Sequence, residues 1–271
     1  MSLFEAIVLG LVQGLTEFLP VSSSAHLALA PWLLGWRDPG LAFDVALHLG
    51  TLVAVAWYFR HDWIELAQAA LRLVQTRRVE TPAERRVLLL IFATIPAGVG
   101  GVLLKDYAET VFRHPAVMAT TLILLGLILW IVDRAAGQAR TIDRLTARDA
   151  WLIGLAQVCA LVPGVSRSGS TMTAGRALGL ERGAAARFSF LMSFPIITAA
   201  VVLKLPEVLR DAGAIAPLAA GIAAAAVSSW LAITVLLRFV SRHSFGVFAA
   251  YRIVLGVVVF ALLAWRGAPG A

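Results

Sequence analysis

The sequence predicts an all-α polytopic membrane protein, an inverted repeat of six transmembrane helices plus two re-entrant helical hairpins. Three observations predict it. The chain is 60% hydrophobic and only 14% charged, against about 45 to 50% apolar and about 25% charged residues in an ordinary soluble domain. Six apolar runs reach the roughly 17 to 20 residues that a helix needs to cross a bilayer. Two further apolar segments are interrupted by turn-forming residues, which suits hairpins that enter and leave on the same side.

The six runs cover 43–59, 87–104, 116–132, 184–205, 214–237 and 246–265. Pro96 and Pro195 fall inside two of them and predict kinks, because proline removes a helical hydrogen bond. The connecting stretches alternate in positive charge: 60–86, 133–150 and 238–245 hold six, four and two Lys or Arg, whereas 105–115 and 206–213 hold two and one. Basic loops are retained in the cytoplasm, so the first set is expected there. Met1 to Leu15 lacks a basic leading segment and carries Glu5 and Gln13, which does not fit a cleavable signal peptide.

The interrupted segments are Leu3 to Leu34, broken at Pro20 to Ser24, and Trp151 to Leu180, broken at Pro163 to Ser170. Bare N–H and C=O groups are expensive in lipid, so both breaks are expected to face protein or a wet cavity. Gly10-Leu11-Val12-Gln13 matches Gly154-Leu155-Ala156-Gln157, and Ser22-Ser23-Ser24 matches Ser166-Arg167-Ser168, both at an offset of 144. The chain therefore reads as one integral membrane domain over 1–271, built of halves 1–150 and 151–271, each a hairpin followed by three spans. Three crossings place the second half opposite to the first. The repeats are then inverted, and the two breaks can meet near the midplane.

The net charge of +7 does not indicate nucleic acid, because the basic residues are scattered between apolar runs rather than gathered in a stripe. Anionic lipid and topology account for it. The single cysteine, Cys159, excludes an internal disulfide and is expected to pack within the apolar stretch Val158 to Leu161.

A serine ahead of a helical run is an N-cap arrangement, and two helix starts converging in the membrane would offer unpaired N–H groups and positive dipole ends. Such a place suits an anion. Arg167 strengthens this, since a guanidinium in the membrane needs an anionic partner, and a phosphate would satisfy it bidentately. The plainer alternative is a structural pair with Glu17. Gln13 and Glu17, four residues apart, share one helical face and point toward the same break. Gln13 alone is more often an interhelical hydrogen bond than a ligand. His26 lies on the first turn after Ser22, Ser23 and Ser24 and is placed to move a proton. The serines also serve simply as caps. An anion cradle, an arginine, a hydroxyl nucleophile, a carboxylate and an imidazole are together the parts of a phosphoryl-transfer site.

Gln13-Gly14-Leu15-Thr16-Glu17-Phe18-Leu19-Pro20-Val21-Ser22-Ser23-Ser24-Ala25-His26 and Pro163-Gly164-Val165-Ser166-Arg167-Ser168-Gly169-Ser170-Thr171 resemble the undecaprenyl pyrophosphate phosphatase, or bacitracin-resistance, family. The resemblance extends to Phe188-Ser189-Phe190-Leu191 and Tyr251-Arg252. It implies a multi-pass enzyme of the bacterial inner membrane that removes the terminal phosphate of the C55 isoprenoid diphosphate, with water as final acceptor. It also implies a divalent cation, Mg or Ca, and a site open toward the outer face. Carried onto this chain, the catalytic residues are Glu17, Ser23, His26 and Arg167. Ser22, Ser24, Ser166, Ser168 and Thr171 would bind substrate, and Glu17 with Gln13 would hold the metal. Two departures stand out: Gln13 is neutral where the pattern also allows Glu, and Ala25 replaces the glycine usual before His26. With Gln13 neutral, the cation would rest on Glu17 and on the substrate's own phosphate oxygens.

The residues accommodate either Ser23 as nucleophile or direct attack by water, with Ser23 then only a hydrogen-bond donor. Asp44 and His48, four apart near the outer end of a span, read as a structural pair or as lining of the site's mouth. Arg176, Arg187, Lys204 and Arg252 lie near span ends and read as snorkelling residues. The expected partners are the isoprenoid diphosphate lipid and the bilayer, with no nucleic acid; the sequence leaves a homo-oligomer open. A secondary transporter or a flippase for an anionic lipid phosphate is the alternative, since broken helices at the midplane also serve transport.

Overall fold

The computed structural model describes residues 1–109, 114–211 and 215–267, and among these the regular structure is helical, with one isolated bridge between Arg140 and Leu180. The helices are α1 (Leu3–Phe18), α2 (Ser23–Leu34), α3 (Leu41–Tyr58), α4 (Arg60–Thr76), α5 (Pro82–Glu109), α6 (Pro115–Ala135), α7 (Ala147–Val158), α8 (Arg167–Ala177), α9 (Arg182–Asp211), α10 (Ile215–Val240) and α11 (Gly246–Arg266). Six are long and apolar enough to cross a membrane, namely α3, Pro82–Leu104 of α5, α6, Arg182–Lys204 of α9, α10 and α11. They coincide with the six runs read from the sequence to within a few residues. The chain is a multi-pass helical membrane protein. Both α5 and α9 continue through Pro96 and Pro195 without interruption.

The stretch 60–86, counted above only as a basic loop, contains α4. This helix buries Leu66 and Ala69, and Arg60, Asp62, Glu65 and Arg72 interrupt its apolar residues, so it falls short of a continuous apolar run and is visible only through its 3.6-residue period. The breaks are also narrower than the sequence suggested. Ser23 and Ser24 already belong to α2, and Arg167 to Ser170 form the first turn of α8. A short 3-10 turn, Cys159–Leu161, follows α7.

The start of each broken pair is set by local sequence. Ser2 with Glu5, and Thr146 with Asp149, form capping boxes that open α1 and α7. Ser22 and Ser166 cap α2 and α8 from the left-handed region, at φ 76 and φ 72. Non-glycine residues rarely sit there, and the two serines, 144 positions apart, share this φ.

Packing between the halves is exchanged. Helix α1 lies along α10, the middle span of the second half, and α7 lies along α5, the middle span of the first. Glycine makes both approaches possible: a Cβ on Gly10 would stand 2.2 Å from the Gly221 carbonyl oxygen, and one on Gly154 would stand 2.5 Å from that of Ala93. The remaining spans pair α3 with α9 and α6 with α11.

Three expectations are corrected. Arg176 does not snorkel; it is fully buried, with Nε 2.8 Å from Asp133 Oδ1. Asp133 also receives Arg182 Nε at 2.8 Å and the Phe245 N–H at 3.0 Å, so one carboxylate ties together α6, α8, α9 and the start of α11. Arg252 is likewise fully buried. Cys159 is exposed rather than packed, because the chain tightens into a 3-10 turn there and leaves the buried stripe of Ile153, Gly154 and Gln157.

Candidate active site

The last turns of α1 carry Gln13 and Glu17 inward, both buried. Glu17 is where the two halves of the chain meet. Its Oε1 accepts a hydrogen bond from Arg167 Nη2 at 2.7 Å, and its Oε2 accepts from Ser23 Oγ at 2.5 Å and from Gln13 Nε2 at 3.2 Å. Sequence spacing predicted that Gln13 and Glu17 share a face. The meeting with Ser23 follows because α1 ends at Phe18 and the chain turns back within four residues.

Arg167 opens α8 and donates a second bond, from Nη1, to the Ser189 carbonyl at 3.1 Å. Its guanidinium lies over the Phe18 ring, 5.9 Å from the centroid. The Nε proton has no partner and is buried. This cation is therefore held on one carboxylate oxygen and one carbonyl, with donor capacity left over, which suits a second anion.

The two helix starts face the same region with matched geometry. Ser22 Oγ lies 3.2 Å from Ser24 Oγ, and Ser166 Oγ lies 3.2 Å from Ser168 Oγ. Ser22 accepts from the Ala25 N–H and Ser166 from the Gly169 N–H, so both serve as caps. Ser168 Oγ donates to the Leu19 carbonyl at 2.9 Å, joining the second helix start to the first break. Thr171 Oγ1 donates to the Arg167 carbonyl at 2.9 Å and meets Ser189 Oγ at 2.7 Å. Its hydroxyl is engaged in holding α8 on α9.

His26 has no hydrogen bond to Glu17 or Ser23. Its Nδ1 is 2.7 Å from the Ser22 carbonyl oxygen and its Nε2 is 2.7 Å from the Tyr251 hydroxyl. The imidazole that does approach Glu17 is that of His48, with Nε2 3.5 Å from Oε2. His48 Nδ1 faces the Asp44 backbone carbonyl oxygen at 2.8 Å, a contact open to any residue at position 44. The sequence held no signal for the longer contact, because it depends on how α3 lies beside α1.

Among the described residues there is no group of three or more His, Cys, Asp and Glu placed to hold a metal ion. Gln13 Oε1 is buried and lacks a hydrogen-bond partner, a neutral oxygen adjacent to the Glu17 carboxylate. Two protein oxygens fit a hard cation that takes its other ligands from phosphate and water.

The family model described as "Bacitracin resistance protein BacA" matches residues 6–258. The chain is 66% identical to an undecaprenyl-diphosphatase of Gemmatimonas aurantiaca, over 98% of this chain and 100% of that protein. It is 49% identical to an undecaprenyl-diphosphatase of Desulforudis audaxviator, over 98% of this chain and 100% of that relative. An undecaprenyl-diphosphatase of Pelotomaculum thermopropionicum is 47% identical, with 98% of each chain covered. With a family match over nearly all its length and relatives of this similarity, the chain belongs to the bacitracin resistance protein BacA family.

Proposed function

We propose that the chain hydrolyses undecaprenyl diphosphate to undecaprenyl phosphate and inorganic phosphate, recycling the lipid carrier for cell-wall synthesis and conferring bacitracin resistance. The names of its relatives support the substrate. The observation that carries the chemistry is the Glu17 carboxylate, shared between the Ser23 hydroxyl and the Arg167 guanidinium.

Ser23 Oγ attacks the distal phosphorus, and its proton passes to Glu17 Oε2, the atom it already faces at 2.5 Å. The bond from that phosphorus to the bridging oxygen breaks, and undecaprenyl phosphate departs. Water then attacks the phosphoserine, phosphate leaves, and the proton held by Glu17 returns to Ser23. Arg167 and the N–H groups of α2 and α8 near Ser22, Ser24, Ser166 and Ser168 carry the charge of the transferring phosphoryl. His26, three residues beyond Ser23 on α2, takes a proton from the attacking water and passes it to the departing phosphate. Thr171 keeps α8 seated on α9. A divalent cation, Mg or Ca, would be held by Glu17 and Gln13 Oε1 and would neutralise part of the diphosphate charge.

The proposed fold is an inverted repeat with re-entrant hairpins α1–α2 and α7–α8, set in the bacterial inner membrane with 60–86 cytoplasmic. The exchanged packing of α1 on α10 and α7 on α5, and the twin caps Ser22 and Ser166, support it. A transporter needs the arginine but has little use for a serine already bonded to a carboxylate.

The test is phosphate release from a long-chain isoprenyl diphosphate by purified protein in detergent, with Mg, Ca or EDTA. Arg167→Ala should release phosphate at least a hundredfold more slowly. No release by the wild-type protein with either cation present would overturn the proposal.

A further inference from the structure

Tyr251 and Arg252 follow each other on α11, and neither has a role in the reaction above. Arg252 is fully buried in a span, yet no carboxylate pairs with it among the hydrogen bonds and ion pairs of the described residues. Its Nη2 lies 2.9 Å from the Gly164 carbonyl oxygen and 3.0 Å from that of Val165, and its Nη1 lies 3.4 Å from that of Pro20. Those three carbonyls belong to the two breaks. Each break directs N–H groups of the following helix toward the site, leaving carbonyls behind that need donors where water is scarce. One planar guanidinium, with several donors in fixed directions, serves both breaks at once. Space is kept for it by Gly169 on the first turn of α8, where a Cβ would come within 2.7 Å of Arg252 Nη1.

Tyr251 acts on the same break from its other side. His26 Nδ1 faces a carbonyl, the Ser22 oxygen, and so carries a proton; in the neutral ring Nε2 is then the acceptor for the Tyr251 hydroxyl at 2.7 Å. The two rings lie nearly parallel, 7° apart. The Ser22 carbonyl thereby sets the tautomer, and the phenol holds the plane of the imidazole. Tyr251 remains half-exposed, so phosphate or water can reach the shared edge.

We infer that Tyr251 and Arg252 are positioning residues for the reaction. Arg252 holds the two breaks in a single register through their carbonyls, and Tyr251 orients His26. The inference rests on the phosphatase reading of the two breaks. Neither residue touches the transferring phosphoryl, so their loss acts on turnover more than on substrate capture.

The experiment compares wild-type protein, Tyr251→Phe, Arg252→Lys, Arg252→Ala and Ser23→Ala, using steady-state phosphate release and only the monodisperse folded fraction of each. Tyr251→Phe should lower kcat about tenfold with KM within twofold, equivalent to roughly 1.4 kcal/mol in the barrier. Arg252→Lys keeps the charge but concentrates its donors on one nitrogen, and should lower kcat more than tenfold. Added guanidinium should restore part of the activity of Arg252→Ala, a response that damage to packing alone would not give. Tyr251→Phe and Arg252→Lys that turn over as the wild type would overturn the inference while leaving the phosphatase reading intact. Ser23→Ala with undiminished phosphate release would instead strike the reading itself.

Discussion

Arg167 Nη2 lies 2.7 Å from Glu17 Oε1, joining residues that are 150 positions apart in the chain. Both side chains are largely withdrawn from solvent, at 13% and 5% exposure. A buried pair of this kind is poor evidence for stability, because the desolvation of two charges offsets most of their attraction. In the proposed mechanism its worth lies in preorganisation: the guanidinium would already be in place when the phosphoryl group arrives. Arg167→Ala should therefore raise the barrier by about 3 to 4 kcal/mol, or about 10² to 10³ in kcat. Arg167→Lys should recover only a small part, since one ammonium cannot span Glu17, the Ser189 carbonyl and a phosphate.

Ser23 and Glu17 should fail together. If Ser23 is the nucleophile, rapid-quench of wild-type protein with a labelled distal phosphate should trap label on Ser23, and Ser23→Ala should trap none. Glu17→Gln should also leave Ser23 unlabelled, because the amide cannot take the hydroxyl proton. Persistent absence of label in the wild type, with turnover intact, would favour direct attack by water.

The two histidines should separate by experiment. His48 Nε2 stands 3.5 Å from Glu17 Oε2, whereas His26 is bonded to Ser22 and Tyr251. His48→Ala removes a neighbour of Glu17, the proposed general base, and should lower kcat about tenfold, roughly 1.4 kcal/mol. His48→Gln retains a donor at similar reach and should recover most of that loss. His26→Ala should slow breakdown of the phosphoserine, so the trapped fraction should rise.

Gln13 is the place to test the cation. Its Oε1 is a buried acceptor without a donor. Gln13→Glu places a second carboxylate beside Glu17, a repulsion that a divalent ion relieves. The Mg or Ca concentration for half-maximal phosphate release should fall at least fivefold in Gln13→Glu and rise in Gln13→Ala. An unchanged requirement in both variants would remove Gln13 from the metal site.

Asp133 supplies a prediction about the fold alone. Its carboxylate is 1% exposed and serves Arg176, itself fully buried, together with Arg182 and the Phe245 N–H. Asp133→Ala leaves two cations without their partner and should destabilise the protein by about 3 to 5 kcal/mol. Unfolding in mixed micelles should show the loss, and Asp133→Ala with Arg176→Met should lose less than the single variant.

By itself the sequence determined the six spans, the two interruptions and most of the residues gathered at them. Span length and apolar run are set by bilayer thickness, a one-dimensional constraint that a sequence states directly. The shared face of Gln13 and Glu17 and the twin serine caps are likewise local, fixed by helical period and by the turn at Ser22 and Ser166. Only the tertiary structure decided which groups touch across the halves. His48 against Glu17, Tyr251 against His26 and Arg252 against Pro20, Gly164 and Val165 depend on how α3 and α11 lie beside the broken helices. It also buried Arg176 and Arg252, which sequence position alone would have sent to the membrane surface. The reason is physical: position along a span sets depth in the bilayer, but the partner that makes a buried charge tolerable comes from another helix.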